Sequence, residues 1–390
     1  GGNILPNGNF DLGTYGWTNG AGTAIDQPYF EVFPVGGYDG GSYLQAFAHA
    51  AADKVGSLKT SVDILPNTNY YCSSASLLNE GVSYLQFGLS SDGATLSQVA
   101  YSIPASPVWR KNEGTFNSGS YSKGVFSFRW LKSKAQFDQL MLARLFSSRA
   151  EAIADGIATE KQRAAVVQRL NTALPALNES LQTVVTATTD PSETTLAALT
   201  AAIDNTIAAM RLKAQVDSVA LVADRILGEQ LPGTDALRQA LAHVQAATTA
   251  ESYVSGAKAL MEALDACLPF ESTTYVQTPD FALASIAGWN IKTGTYTGGT
   301  QTPSTLAGHS CWNAQWTNLS SAEGNARSMS IGQTVSGLTH GLYVLECKAA
   351  TQHYCLTDQH AFIRTKTDSI VSPSLRADYL DLPTLSDDAR

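Results

Sequence analysis

Trp312 and Trp316, with Asn313 and Gln315 between them, form the densest polar–aromatic cluster in this 390-residue chain. Flat rings stack on the C–H faces of sugars, while amides and acids pair with hydroxyls, so such a set suits a carbohydrate. If residues 311–316 form a strand, Trp312 and Trp316 share one side of it. That arrangement serves equally as a stacking platform or as ordinary sandwich core. Tyr38, Tyr43 and Trp109 lie in turn-rich stretches and are ligand-contact candidates of the same kind. Trp17 and Trp289 each follow a glycine and recur in matching positions, which marks them as structural anchors.

Other chemistry is thinner. Acids are plentiful early in the chain (Asp26, Glu31, Asp39, Asp53, Glu80, Asp92 and Glu113), and sequence alone places no two of them as a glycosidase pair. They read as solvated loop acids. His353, Cys355, Asp358 and His360 cluster, without the tight paired spacing usual for zinc. Five scattered cysteines give no disulfide framework, and Cys347 with Cys355 is open to a hairpin bridge or to two free thiols. Hydrolase, zinc-protease, phosphate-loop and dinucleotide signatures are absent. A net charge of −9, without clustered Lys and Arg, argues against nucleic acid as a partner. No apolar run reaches the ~18 residues of a membrane span.

The elements that must position these residues divide by composition. Of the 34 Phe, Tyr and Trp residues, only Tyr253 lies between Ser147 and Leu268, and glycine is equally depleted there. Strand formers and turn residues dominate the flanks, helix formers the middle. The expected organisation is a β-sandwich over 1–146, a helical spacer over 147–270 and a second β-sandwich over 271–390. Within the spacer, Leu196, Leu199, Ile203, Ile207 and Met210 recur at helical spacing after the start signal Asp190-Pro191-Ser192-Glu193, and Gly228 ends the run. Ala164 to Leu181 forms another stripe, which Pro175 must kink or break. Short connections predict an antiparallel bundle of about four helices, assigned no chemistry.

The flanks repeat one another. Asn7-Gly8-Asn9-Phe10 with Gly16-Trp17 is matched by Thr278-Pro279-Asp280-Phe281 with Gly288-Trp289. Val62, Leu65 and Tyr70 share their spacing with Val335, Leu338 and Tyr343, and the offsets run from 271 to 273. Many short strands in about 140 residues fit a sandwich or jelly roll. The second copy has only 47 residues after Tyr343, against 76 from Tyr70 to Phe146, so it is expected to be truncated. The Gly1-Gly2 start without a Met suits a processed or trimmed product, and a catalytic part could lie elsewhere.

The opening Asn-x-Asn-Phe-Asp with Gly-Trp, the Leu65-Pro66-x-x-x-Tyr70 strand pair and Phe137-Asp138-x-Leu-x-Leu carry a resemblance. They resemble carbohydrate-binding modules of the galactose-binding-like jelly-roll superfamily, with families 4, 9 and 22 closest in flavour. The resemblance covers 1–146 well and 276–370 moderately. It implies a non-catalytic, secreted or cell-surface bacterial protein that captures polysaccharide or oligosaccharide. It also implies a structural calcium held by Asp11 and Asp138, with Ala282 replacing the acid in the second copy. A glycan-degrading enzyme whose catalytic part is missing or unrecognised, and a structural adhesin binding protein, are the alternatives.

Overall fold

The computed structural model describes residues 1–19, 30–46, 55–78, 83–104, 106–131, 135–267, 275–281, 287–293, 299–306, 309–316, 329–338, 343, 345, 361–367 and 369–371. They fall into two compact units, Gly1–Leu268 and Pro269–Arg390. The cluster at His353, Cys355, Asp358 and His360, the Cys347–Cys355 question and the later strands of the second copy lie outside the described residues.

Among the described residues of the first unit, ten strands form two antiparallel five-stranded sheets. One contains β1 (Thr18–Asn19), β4 (Val55–Asp63), β6 (Ser83–Ser90), β7 (Gln98–Ile103) and β9 (Lys123–Leu131), in the order β1-β4-β9-β6-β7. The other contains β2 (Phe30–Phe33), β3 (Tyr43–Ala46), β5 (Asn69–Leu78), β8 (Ser106–Asn117) and β10 (Ala135–Arg144), in the order β2-β3-β10-β5-β8. Every neighbour is antiparallel while most neighbours are distant in sequence, which is the connectivity of a jelly roll. Alternate residues point inward and make an aromatic core. Phe128 of β9 stacks on Phe137 of β10 with ring centroids 3.9 Å apart, and Trp17 stacks on Phe128 at 5.0 Å. Burying a large apolar side chain of this kind stabilises the fold by about 1.5–3 kcal/mol.

Five helices follow in the same unit: α1 (Arg149–Leu170), α2 (Pro175–Ala187), α3 (Glu193–Gly228), α4 (Asp235–Gln245) and α5 (Ala250–Cys267). The count exceeds four because Pro175 breaks the expected stripe outright and starts α2, where its missing N–H costs nothing. Ser192 caps α3 and exchanges bonds with Thr195, both side chains meeting the other's backbone N–H. At 36 residues, α3 is ~54 Å long. Its first half packs with α1 and α2 around Leu199, Ile203 and Ile207, and its second half with α4 and α5 around Ala223 and Ile226.

These helices dock on the first sandwich. Leu12 of the opening turn packs into the α1–α2–α3 core, and Arg169 donates to the Tyr15 hydroxyl. Arg144 at the end of β10 pairs with Asp155 of α1, and the Gly2 amide also donates to that carboxylate at 3.1 Å.

In the second unit, β11 (Asn290–Thr293) pairs with β14 (Met329–Gly332), β12 (Gly299–Leu306) with β13 (His309–Trp316), and β15 (Phe362–Arg364) with β16 (Ser369–Val371), all antiparallel. The repeat is visible here. Phe281 and Trp289 lie 5.2 Å apart at 31°, against 5.4 Å and 31° for Phe10 and Trp17. Both Trp indoles donate to the carbonyl at the start of the turn, Trp17 to Asn7 at 3.3 Å and Trp289 to Thr278 at 3.2 Å. Gly16 and Gly288 share a φ of +83°. Asn290 faces Gly332 as Thr18 faces Lys59, the offsets of 272 and 273 that the sequence repeat carries.

The turn depends on its glycine. At Gly16, a Cβ would add left-handed strain and lie 2.7 Å from Pro6 Cγ. Gly16→Ala is therefore expected to cost about 1–3 kcal/mol. The shift in the chemical-denaturation midpoint of the full chain measures it, and an unchanged midpoint would contradict the assignment.

Candidate functional site

The site begins with an irregularity in β10. Residues 135–137 pair with β3, but beyond them the strand takes a new partner: Leu140 donates to Gly8 O at 2.8 Å, and Ile4 donates to Leu142 O at 2.8 Å. The register shifts between Asp138 and Met141, and Gln139 adopts a φ of +49°. Asp138 stands at this bulge, and its carboxyl is fully buried.

Its bonding follows from the loop that folds over it. Tyr38 donates its backbone N–H to Asp138 Oδ2 at 2.8 Å, and Gln139 donates its own to Oδ1 at 2.6 Å. Three backbone bonds close the loop: Gly36 to Gly40 O, Gly37 to Gly41 O and Gly40 to Gly37 O. The Gln139 side chain reaches Asp39 Oδ2 at 2.8 Å. A methyl group at Gly37 would lie 2.6 Å from Asp138 Oδ2 and 2.9 Å from both Gly41 O and Ser42 O. Only glycine lets the loop come so close.

The bulge and loop bring together three sequence-selected aromatic residues. Tyr43 on β3 meets Trp109 on β8 edge to face at 5.9 Å, and Tyr38 meets Trp109 at 6.2 Å. Strands β3 and β8 are separated by β10 and β5. At about 4.8 Å per strand, the two rings reach towards each other over roughly 14 Å of sheet. Ala75 of β5 lies opposite Asp138 and leaves room for them. Tyr43 is buried, Trp109 half-buried and Tyr38 exposed, so Trp109 and Tyr38 present the accessible surface.

Sequence reasoning missed several members of this face. Phe33 stacks on Tyr43 at 5.3 Å, its register partner on β2. Gln136 donates to Gln45 Oε1 at 2.7 Å, directly across β10 and β3. Further along, the Tyr71 hydroxyl donates to Glu113 Oε2 at 2.6 Å, and that bond holds the Tyr71 hydroxyl above its usual pKa. An available signal was polar Gln inside an otherwise apolar alternating strand, at Gln45 and Gln136.

Asp11 and Asp138 differ as cation ligands. Asp138 has the chemistry: a buried carboxylate with no salt bridge to it among the described residues, while the Gly41 and Ser42 carbonyls each lie 2.9 Å from where a Gly37 Cβ would stand. Asp11 is committed elsewhere, accepting from Arg211 Nη1 at 3.0 Å and from Asn9 Nδ2 at 2.5 Å. A guanidinium already neutralises it. Among the described residues, no group of three or more His, Cys, Asp and Glu side chains is placed to hold a metal. Trp312, Asn313, Gln315 and Trp316 all lie on β13, opposite Pro303, Thr302, Thr300 and Gly299 of β12. The strand they required is present, and the surroundings of their side chains lie outside the described residues.

Comparison with known proteins adds fold neighbours. No protein-family model and no curated protein matches the sequence. Among solved structures, the xylan-binding domain CBM22-1 of Paenibacillus barcinonensis Xyn10C matches at 21% identity and a TM-score of 0.29, over 38% of this chain and 97% of that one. TmCBM61 in complex with β-1,4-galactotriose matches at 15% identity and 0.28, over 37% and 100%. The enzymatically active domain of bacteriophage CBA120 tailspike protein 4 matches at 12% identity and 0.30, over 37% of this chain and 21% of that one. The chain thus spans about a fifth of the tailspike structure. CBM4 and adhesin domains are further neighbours. At these values, function has to be argued from the residues themselves. No helix among the described residues is long and apolar enough to cross a membrane.

Burial raises the Asp138 carboxyl from the usual 3.8 to about 7, and the nearby Asp39 and Asp11 charges push the same way. A raised pKa means that the folded state holds the proton more tightly than the unfolded one. The stability this supplies is complete below about pH 4 and is lost as pH rises through 7. Thermal melts in a chelating buffer should show that loss between pH 4 and 7.5, and Asp138→Asn should flatten it. An identical pH profile for the variant would rule the assignment out.

Proposed function

We propose that the first sandwich is a non-catalytic glycan-binding module in a secreted or cell-surface protein that captures polysaccharide. The convergence of Tyr38, Tyr43 and Trp109 on one outer sheet face carries this reading, with Asp39 and Gln139 bonded to each other at its rim. Trp109 and Tyr38 offer two differently tilted ring faces to the C–H surfaces of a sugar. Tyr43 supports Trp109 edge to face, and Phe33 stacks on Tyr43. Carboxylate and amide groups around them supply hydroxyl partners, as ligand selection requires. The helices and the first sandwich act together in this proposal, and the second copy contributes a further contact zone on β13 through Trp312, Trp316, Asn313 and Gln315. Calcium belongs to the same proposal: Asp138 and the Gly41 and Ser42 carbonyls hold it, and it fixes the Tyr38 loop by neutralising the buried carboxylate.

A glycan array followed by titration tests the reading. Trp109→Ala and Tyr38→Ala should each weaken binding about tenfold or more, the effect of losing roughly 1.4 kcal/mol. Trp312→Ala and Trp316→Ala report on the second zone. Wild-type silence on all plant, host and microbial glycans would defeat the proposal in favour of a protein-binding adhesin. Turnover of a chromogenic glycoside series would defeat its non-catalytic part.

For calcium, the expected result is a lower melting temperature of the intact protein after chelation, restored by millimolar calcium and absent in Asp138→Asn. A wild-type melting temperature indifferent to the chelator excludes the ion.

A further inference from the structure

Arg211 lies near the middle of α3, in a region whose sequence reads only as packing. Its guanidinium nevertheless joins two separate parts of the sandwich. Nη1 donates to Asp11 Oδ1 in the opening turn at 3.0 Å, and Nη2 donates to the carbonyl of Pro34. Pro34 begins the loop that closes over Asp138 and carries Tyr38. The loop between β2 and β3 is therefore held at two points: by α3 at Pro34, where it leaves β2, and by the β10 bulge at the Tyr38 amide, near its middle. About a third of the Arg211 side chain is exposed and a quarter of Asp11, so the contact is partly shielded from solvent.

A planar guanidinium suits this task. It presents several donors in fixed directions and serves a carboxylate and a carbonyl at once, while an ammonium is a point charge with no such fork. We propose that Arg211 is a positioning residue for ligand binding: α3 uses it to hold the Tyr38 loop in the form that faces Trp109. The affinity part of this proposal rests on the glycan reading given above, and the loop-holding part does not. The helical region then becomes part of the site's framework, setting how well its exposed ring is pre-organised.

The experiment uses the full chain and two readouts. In ligand-free protein, hydrogen exchange across residues 34–43 reports whether the Tyr38 amide stays bonded to Asp138. Arg211→Gln should speed that exchange about tenfold, and Arg211→Lys should recover part of the protection. Arg169→Ala also removes a helix–sandwich contact, at Tyr15, but should leave residues 34–43 unchanged. Equal exchange in wild type and Arg211→Gln would overturn the proposal, as would equal acceleration by Arg169→Ala, because the effect would then be general loosening of the interface.

Titration with soluble xylo- and cello-oligosaccharides, or the best array binder, supplies the second readout. Arg211→Gln should weaken binding about fivefold to tenfold, and the double variant with Tyr38→Ala should bind no more weakly than Tyr38→Ala alone. Additive losses would place Arg211 outside the Tyr38 pathway and sink the affinity part. If wild type binds no sugar while exchange still accelerates, the glycan reading fails and the loop-holding role stands.

Discussion

A buried carboxylate at a strand irregularity is the constraint on which the aromatic face of the sandwich depends. Strand β10 must serve β3 with its first residues and the N-terminal segment with its later ones. The changeover takes Gln139 and Leu140 out of register with β5; Leu140 donates to Gly8 O, and the Gln139 amide needs another acceptor. Leaving a buried N–H without an acceptor costs about 1–3 kcal/mol. Asp138 meets that need for Tyr38 and for Gln139, and the two amides in turn lessen the cost of burying the carboxylate. Loop, bulge and acid are mutually dependent. The position of Tyr38 follows from that dependence.

The helices extend this logic beyond the sheets. A two-sheet sandwich could be finished by its own strands, but here the opening turn sends Leu12 into the helical core and Asp11 to Arg211. The acid that the family resemblance offers to a metal is thus engaged by a protein cation. Arg144 with Asp155 and Arg169 with Tyr15 fasten the same seam. The rod-like spacer expected from composition is a partner layer of the first sandwich.

Local physics explains what could be read from the sequence. Pro175 starts α2 and Ser192 caps α3 by their own backbone and side-chain chemistry, so the starts of both helices were legible. The paired turns at Phe10 and Phe281 were legible because an indole, a glycine and a carbonyl must recur at fixed spacing. Tyr38, Tyr43 and Trp109 could be chosen by residue type, but not joined: their meeting depends on which strands lie between β3 and β8, a non-local matter. Gln136 and Gln45 needed the register of β10 on β3. Arg211 was hidden for a related reason, since helical periodicity identifies a buried stripe and says nothing of what a long exposed side chain reaches.

The matched opening turns show what two different sequences need in order to keep one turn geometry. Most of the bonds that shape each turn run to backbone oxygen: the indole to the first carbonyl, and the Phe amide to the same atom. Asn7 adds side-chain ties to Gly13 O and Tyr15 O, where Thr278 adds one to Ala287 O. A turn built this way tolerates drift at its polar positions, because its architecture is written in main-chain contacts. Side chains around such a turn are free to change while the turn itself persists.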